Sequence, residues 1–388
     1  MFNLQIDIIM RLLMCLLFTS FLMNAQVKRS CMEIDFSKAY SEKTLSLQSL
    51  AEVEYVPLET SDEVLLGQMP KLAAVTNNYI VLFEWRSGNI FIFTRKGKIV
   101  SHFNHRGNGP QEYNRISSLV FDETNEEIFI SDLNKVHVFS LQGTYKRSFS
   151  LPAEHEYVLF QYTNERLILY EKPTLALQSD PKETKPYQVI SKRDGSRKAE
   201  LNIAVKNRLS DRMVIPVEGG FTSASFRVPQ NMYFGKQTMI AEITSDTIYQ
   251  MSQAGDLHPI ITRKPSVHTT NPHQVWGISL TTSKFILLET VVLDVKNSQD
   301  AQWMINCHSG QIEKVQIKDA EFLTEQRTPK KWVPKESPLI EQNQMAELIP
   351  AADMLDSSER KLLKGNGMEV AKSLQEDDNQ VVRILTFK

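Results

Sequence analysis

The chain has 388 residues, and 44 Lys and Arg against 46 Asp and Glu give it a net charge of −2. This balance argues against a nucleic-acid or general polyanion binder, which relies on an excess of basic residues. Hydrophobic residues make up 41% and charged residues 23% of the chain, as is typical of globular proteins.

Residues 1–25 are typical of a secretory signal peptide. Arg11 precedes a short apolar run, 12–23, and Ala25 supplies the small residue expected at a cleavage site. The run is shorter than the ~20 apolar residues of a membrane span, and no second long apolar stretch follows. We therefore expect a chain without a membrane span, exported to the periplasm or cell surface, whose mature form begins near Gln26.

Cys31 and Cys307 remain once the signal peptide, which contains Cys15, is removed. The two cysteines either pair in an oxidising compartment or stay as thiols, and the sequence leaves both alternatives open. Lipid anchoring through Cys31 is a less favoured alternative. Lys28 and Arg29 stand where a lipoprotein signal has apolar and small residues.

Internal repetition is the main structural signal in the chain. Segments 87–103 and 133–149 align without gaps at an offset of 46, each as a strand, a glycine-containing turn and a second strand. Segments 187–195, 248–255 and 303–310 repeat the pattern. Glycine supplies the positive φ of a tight hairpin, and a four-stranded propeller blade takes ~40–50 residues. The predicted turn glycines are Gly97, Gly143, Gly195, Gly255 and Gly310.

Further strands are predicted before these hairpins, at 72–75, 79–84, 116–121, 127–131, 157–162, 166–170, 238–243 and 284–293. Two strand-like segments, 52–58 and 381–387, then remain at the two ends. Placing both in one sixth blade closes the ring and removes open sheet edges. The predicted fold class is therefore all-β: a six-bladed β-propeller with four-stranded blades, closed by its N- and C-terminal strands.

The propeller is expected to span 51–388 after a lead-in at 26–50. Region 318–350 is polar and proline-rich, which predicts a long loop or an irregular part of the sixth blade. A small helical insert is expected at about 353–375. Asp356-Ser357-Ser358-Glu359 resembles a capping box, Gly365 is the expected helix end, and a second short helix is predicted at 368–374.

Four stretches resemble a family of exported six-bladed propellers that is common in Bacteroidetes and distantly similar to NHL-repeat propellers. They are its opening strand (53–60), its Gly-rich loop (106–113), its Asp-x-Ile-Tyr hairpin (245–251) and its acidic lead into the last strand (376–380). The resemblance spans nearly the whole mature chain. It implies the fold and export but little about activity, since most of the family has none assigned.

The Gly-rich loop is the strongest candidate binding site. Gly107 and Gly109 expose backbone N–H groups that can hold an anion, and Arg106 and Glu112 could contact a ligand. The loop precedes the first strand of the second blade, so we expect it at the channel mouth. The alternative is an interblade connector with Arg106 and Glu112 as a local ion pair. The predicted ligand-binding residues are Trp85, Arg86, Arg106, Gly107, Gly109, Glu112 and Tyr113.

Trp85 near the mouth could stack on sugars, as could Trp276 in the fifth blade, although ordinary blade packing explains both. His102 and His105 point to opposite faces of a strand, which disfavours joint metal binding. His268 and His273 lack a Cys or carboxylate at ligand spacing. We predict no metal and no cofactor.

No serine-hydrolase elbow, His-Glu-x-x-His motif or Asp-box is present. We therefore expect a monomeric, non-catalytic binding or scaffolding propeller whose partner is a glycan, peptide or protein, with no nucleic acid. The alternative is a hydrolase or lyase acting on a glycan or peptide at the channel mouth, because propeller active sites draw residues from separate blades.

Overall fold

The structure, a computed structural model, describes residues 31–388 except 68, 153–154, 174–181, 229–231, 234–237, 253, 335–339 and 342. The predicted signal peptide lies outside the described residues. The described chain begins with β1 (Met32–Asp35), β2 (Glu42–Ser46), α1 (Leu47–Leu50) and β3 (Ala51–Pro57).

Three regular four-stranded antiparallel blades follow. Blade 1 contains β4 (Lys71–Val75), β5 (Tyr79–Phe83), β6 (Asn89–Thr94) and β7 (Ile99–Asn104). Blade 2 contains β8 (Ser118–Asp122), β9 (Glu127–Asp132), β10 (Lys135–Ser140) and β11 (Tyr145–Ser150). Blade 3 contains β12 (Tyr157–Gln161), β13 (Arg166–Glu171), β14 (Tyr187–Ser191) and β15 (Arg197–Glu200).

A separate hairpin, β16 (Arg212–Val217) and β17 (Gly220–Ser225), precedes the later blades. Blade 4 contains β18 (Met232–Tyr233), β19 (Thr238–Ile240), β20 (Thr247–Met251) and β21 (Leu257–Lys264), followed by a 3-10 turn at Val267–Thr269. Blade 5 contains β22 (Gln274–Thr281), β23 (Phe285–Val292), β24 (Asp300–Asn306) and β25 (Ile312–Leu323), with β26 (Pro329–Lys331) beside β25. The remaining elements are β27 (Gln344–Ile349), α2 (Ala351–Glu359), α3 (Asn366–Ser373) and β28 (Val381–Phe387).

The predicted fold class is confirmed: the protein is an all-β, six-bladed propeller. Strand β28 pairs antiparallel with β3, so the segments 52–58 and 381–387 meet in blade 6, as predicted. In the described residues this blade has three strands, in the order β27-β28-β3. The Asn366 amide exchanges hydrogen bonds with the backbone N–H (3.3 Å) and C=O (2.8 Å) of Tyr55, which covers part of the outer edge of β3.

Residues 32–46 form a strap along the outside of the ring. Strand β1 pairs parallel with β21 and β2 pairs parallel with β25, which adds a fifth strand to blades 4 and 5. Between them, Phe36 and Tyr40 pack on Trp303 with ring centroids 5.0 and 5.4 Å away. The lead-in is thus part of two sheets, which the sequence did not indicate.

The helical insert is present, but its predicted boundaries were partly wrong. Helix α2 begins after Pro350, so 356–359 is its last turn rather than its cap, because Ala351 and Met354 are buried and fix the earlier start. Gly365 precedes α3 instead of ending α2. The polar region 318–350 also contains the end of β25, β26 and β27, with Pro338 outside the described residues. Cys31 and Cys307 are both exposed and form no disulfide with each other.

The predicted turn glycines all have positive φ, from 71° to 101°. Two of these turns sit directly on a phenylalanine of the preceding blade. A Cβ atom at Gly143 would lie 2.5 Å from the Phe103 ring, and a Cβ at Gly195 would overlap the Phe149 ring. Phe103 and Phe149 occupy the same place in the sequence repeat. The repeat therefore encodes a contact between neighbouring blades as well as a hairpin.

The antiparallel order gives the ring two different ends. Connections between blades lie at the same end as the turns between the second and third strands, and we call this end the connector face. The glycine turns between third and fourth strands lie at the opposite end, together with the turns between first and second strands. We call that end the turn face.

Candidate binding face

The Gly-rich loop connects β7 of blade 1 to β8 of blade 2 on the connector face. The loop's own carboxylate occupies one N–H group of the expected nest, while the Gly107 N–H donates to the Tyr113 carbonyl at 3.1 Å. Gly109 N donates to Glu112 Oε2 at 2.7 Å, and a Cβ at Gly107 would overlap that carboxylate. An external anion would have to displace Glu112 to use this nest.

Arg106 is held by backbone groups of neighbouring loops. Its Nε donates to the Asn114 carbonyl at 3.1 Å, and its Nη1 donates to the Arg86 carbonyl. No ion pair joins Arg106 to Glu112, both of which the structure describes. The expected local ion pair is therefore wrong, because the backbone of two other segments takes up the guanidinium.

Tyr113 is fully buried beneath this loop. Its hydroxyl donates to the Gly88 carbonyl at 2.6 Å and accepts from the backbone N–H of His105 at 3.1 Å. Burial raises the pKa of Tyr113 to about 12. Tyr113 thus fastens the interblade loop to the turn between β5 and β6.

Four residues of the predicted site are exposed: Trp85, Arg86, Arg106 and Glu112. Trp85 is 39% exposed, and the Arg86 guanidinium lies 4.7 Å from the Trp85 ring centroid. Trp276, by contrast, is buried and donates through Nε1 to the Ser245 carbonyl at 2.7 Å, which agrees with the packing alternative.

The four histidines considered as metal ligands in the sequence each have a defined place in the fold. His102 stacks on Phe91 at 4.3 Å, and the ring of His105 contacts the Gly143 carbonyl at 2.7 Å. His268 lies in the 3-10 turn, and His273 Nδ1 is 3.1 Å from the Val267 carbonyl. Within the described part of the chain, no group of three or more His, Cys, Asp or Glu is placed to hold a metal ion.

Exposed hydrophobic side chains concentrate on the connector face. Ten large hydrophobics are exposed among the described residues, and nine of them belong to its loops, its hairpin or α3. The exception is Val100 on β7. The nine are Leu65, Met69, Trp85, Leu133, Met213, Val217, Phe221, Val295 and Met368.

The hairpin β16–β17 projects from this face, and contacts of the residues that flank it hold its base in place. None of its twelve residues is buried, and Phe221 is 64% exposed. At its base, Phe226 is buried, with its backbone N–H bonded to the Asp211 carbonyl at 2.7 Å. Arg227 then forms an ion pair with the completely buried Glu289 of blade 5. This hairpin was not predicted from the sequence, although Gly219-Gly220 between two strand-like runs is a hairpin signal.

A network of charged groups joins blades 2, 3 and 4 on the same face. Glu156 lies 4.0 Å from Arg115 and 3.2 Å from Lys172. Glu171 lies 3.6 Å from His155 and 3.4 Å from Arg208. No signal in the sequence had marked these residues, because they come from four separated loops.

Glu242 is buried beside this network. Its Oε2 accepts from the Tyr187 hydroxyl at 3.3 Å, while its Oε1 has no hydrogen-bond partner among the described residues. Burial, followed by the charge of Glu242, raises the pKa of both Tyr170 and Tyr187 well above the usual value for tyrosine.

Six sheets closed into a ring by the pairing of β3 with β28 define the class of this protein as a six-bladed β-propeller. The chain belongs to the family described as a domain of unknown function (DUF4934), whose model matches residues 31–386. No curated protein matches the sequence.

Two solved structures illustrate the likeness. A Bacteroides fragilis protein described as exported shares 14% identity at a TM-score of 0.61, over 92% of this chain and 100% of that one. A DUF4221 family member from Bacteroides vulgatus shares 10% identity at a TM-score of 0.48, over 87% of this chain and 97% of that one. The first of these structures supports the resemblance to exported Bacteroidetes propellers for the fold. No helix among the described residues is long and apolar enough to cross a membrane.

Proposed function

We propose that this protein is an exported, non-catalytic binding propeller that docks a protein partner on its connector face through the hairpin β16–β17. The observation that carries the proposal is the projecting hairpin without a single buried residue. A two-stranded hairpin on its own is marginally stable in water, and contiguous apolar surface marks interaction sites. Contact with a partner would bury Phe221 and Met213 and stabilise the hairpin.

The composition of the face favours a protein over a glycan. Most of its exposed hydrophobics are aliphatic side chains or Met, such as Leu65, Met69 and Val217, which offer sugar hydroxyls no strong hydrogen-bond partner. Trp85 and Arg86 are residue types that often dominate protein interfaces, so we assign the predicted pair to this contact. Export through the signal peptide at 1–25 is part of the same proposal and is supported by the resemblance to exported propellers.

Site-specific photo-cross-linking in the native host tests the docking face. A cross-linking residue at position 221 is expected to capture one dominant partner, whereas the same residue at position 100, on the outer strand β7, captures none. The purified partner should then bind Phe221→Ser at least tenfold more weakly than wild type and bind Val100→Ser normally. Equal binding of the two variants would refute the docking face. Light scattering identifies the case in which the captured partner is a second copy of the chain.

The charge network is the observation that favours the alternative, a hydrolase or lyase at the channel mouth. It brings Glu171, His155 and Arg208 together beside Glu242, whose Oε1 has no partner in the described residues. Turnover of a glycan or peptide substrate that is lost in Glu171→Gln but kept in Phe221→Ser would establish an enzyme and overturn the non-catalytic proposal.

A further inference from the structure

The contact between a glycine turn and a phenylalanine of the preceding blade is missing at the junction of blades 3 and 4. Phe103 and Phe149 each follow the glycine of their own blade by six positions, and each fills the space under the next glycine turn. The residue at that position in blade 3 is Leu201. Among the described atoms, the nearest to a Cβ at Gly255 of blade 4 is Tyr162 Oη, at 3.5 Å. A smaller side chain thus stands where the repeat has a phenyl ring.

A cleft of about 540 Å³ opens at this junction on the turn face, and both Leu201 and Gly255 line it. This volume lies within the range of ~300–1,000 Å³ typical of small-molecule sites. The cleft opens at the opposite end of the ring from the hairpin β16–β17. It is therefore independent of the proposed docking face.

The lining combines aromatic surface with an uncompensated positive charge. Tyr162 and Tyr249 contribute the aromatic rings, and Asn202 contributes an amide. The charged groups of the lining are Arg166 and Glu200. Glu200 already forms ion pairs with Arg197 at 2.6 Å and Lys185 at 3.7 Å.

The Arg166 guanidinium, by contrast, forms no ion pair or hydrogen bond with the described residues. Arginine binds carboxylates through two parallel hydrogen bonds, and tyrosine rings stack on flat ring surfaces.

We propose that this cleft binds a small organic acid in which a six-membered ring carries a carboxylate. The ring lies against Tyr162 or Tyr249, and the carboxylate pairs with Arg166. A uronic sugar and an aromatic acid share this chemistry.

Calorimetry on the purified chain distinguishes the two sources, with sodium D-glucuronate and 4-hydroxybenzoate as probes and glucose and 4-hydroxybenzamide as their neutral analogues. At least one acid is expected to bind, and its neutral analogue should bind at least tenfold more weakly. Arg166→Ala should weaken acid binding at least tenfold, which is the usual effect of losing a charged hydrogen bond. Arg193→Ala removes an exposed arginine outside the cleft lining and should leave binding unchanged.

Leu201→Phe tests the cleft itself. This variant restores the phenyl ring of the repeat while keeping Arg166, so it should abolish acid binding without lowering the melting temperature. The proposal is overturned if neither acid binds, if acid and neutral probes bind equally, or if binding survives Leu201→Phe in a folded protein. Phe221→Ser should leave acid binding intact, so the cleft and the docking face succeed or fail separately.

Discussion

Alanine in place of a turn glycine measures the stability contributed by the contact between blades. Gly195 and Gly310 form a matched pair, because both have φ of 71°. At Gly310 the nearest atom to an added Cβ is the flexible tip of Met32, 3.5 Å away, whereas at Gly195 the Cβ would overlap the Phe149 ring. Both substitutions incur about 1–2 kcal/mol for a left-handed non-glycine residue. Overpacking adds about 1–3 kcal/mol at Gly195 alone.

Gly195→Ala should therefore be less stable than Gly310→Ala by about 1–3 kcal/mol. Urea unfolding followed by tryptophan fluorescence gives this difference from the two midpoints, provided that the slopes agree. In a Phe149→Ala background the clash is absent, so the added cost of Gly195→Ala should fall to the backbone cost alone. Equal losses at the two glycines, or a cost at Gly195 that Phe149→Ala does not change, would refute the packing argument.

Three further predictions concern ring stability. The folded-state pKa of Tyr113, about 12, exceeds the unfolded value near 10, so its contribution to stability is complete below pH 10 and is lost as pH rises towards 12. This loss, of up to about 3 kcal/mol, should be absent in Tyr113→Phe, whose melting temperature would then fall less steeply with pH. Arg383→Met leaves the buried Asp319 and Glu347 without their cation and should cost about 3–5 kcal/mol, so an unchanged melting temperature would contradict it. Deletion of 376–388 removes the strand that pairs with β3 and should cause aggregation, which a monomeric elution profile would disprove.

The regular part of the fold was predictable because its signals are local. Each glycine turn has its strands on either side, so the sequence repeat located the hairpins to within a few residues. The strap was not predictable. Strand β1 has four residues and owes its conformation to pairing with β21, more than 200 residues away in the sequence. Helix α2 shows the same limit, since burial of Ala351 and Met354 outweighed the cap-like pattern at 356–359.

The sequence predicted the kind of site, a loop that binds an anion, but not which group occupies it. The Gly109 N–H of the Gly-rich loop does bind an anion, but the anion is Glu112 of the same loop. Three-residue spacing between Gly109 and Glu112 makes this return contact possible, but spacing alone does not distinguish an internal carboxylate from a ligand. Phe221 is exposed and the cleft beside Leu201 is open because no other side chain covers them. A sequence pattern does not reveal such missing contacts.

Both proposed surfaces lie where the chain departs from its repeat. Between blades 3 and 4 the connection is long enough to form the hairpin β16–β17, and the residue that should fill the junction is Leu201 instead of phenylalanine. At the next junction the strap contributes Met32 beside Gly310. The strap first joins the ring at the outer edge of blade 4, on β21, so the cleft beside Gly255 has neither a phenyl ring nor a strap residue to close it. Phenylalanine contacts close the two preceding junctions and the strap reaches the next one, so both proposed binding surfaces lie at the junction that has neither.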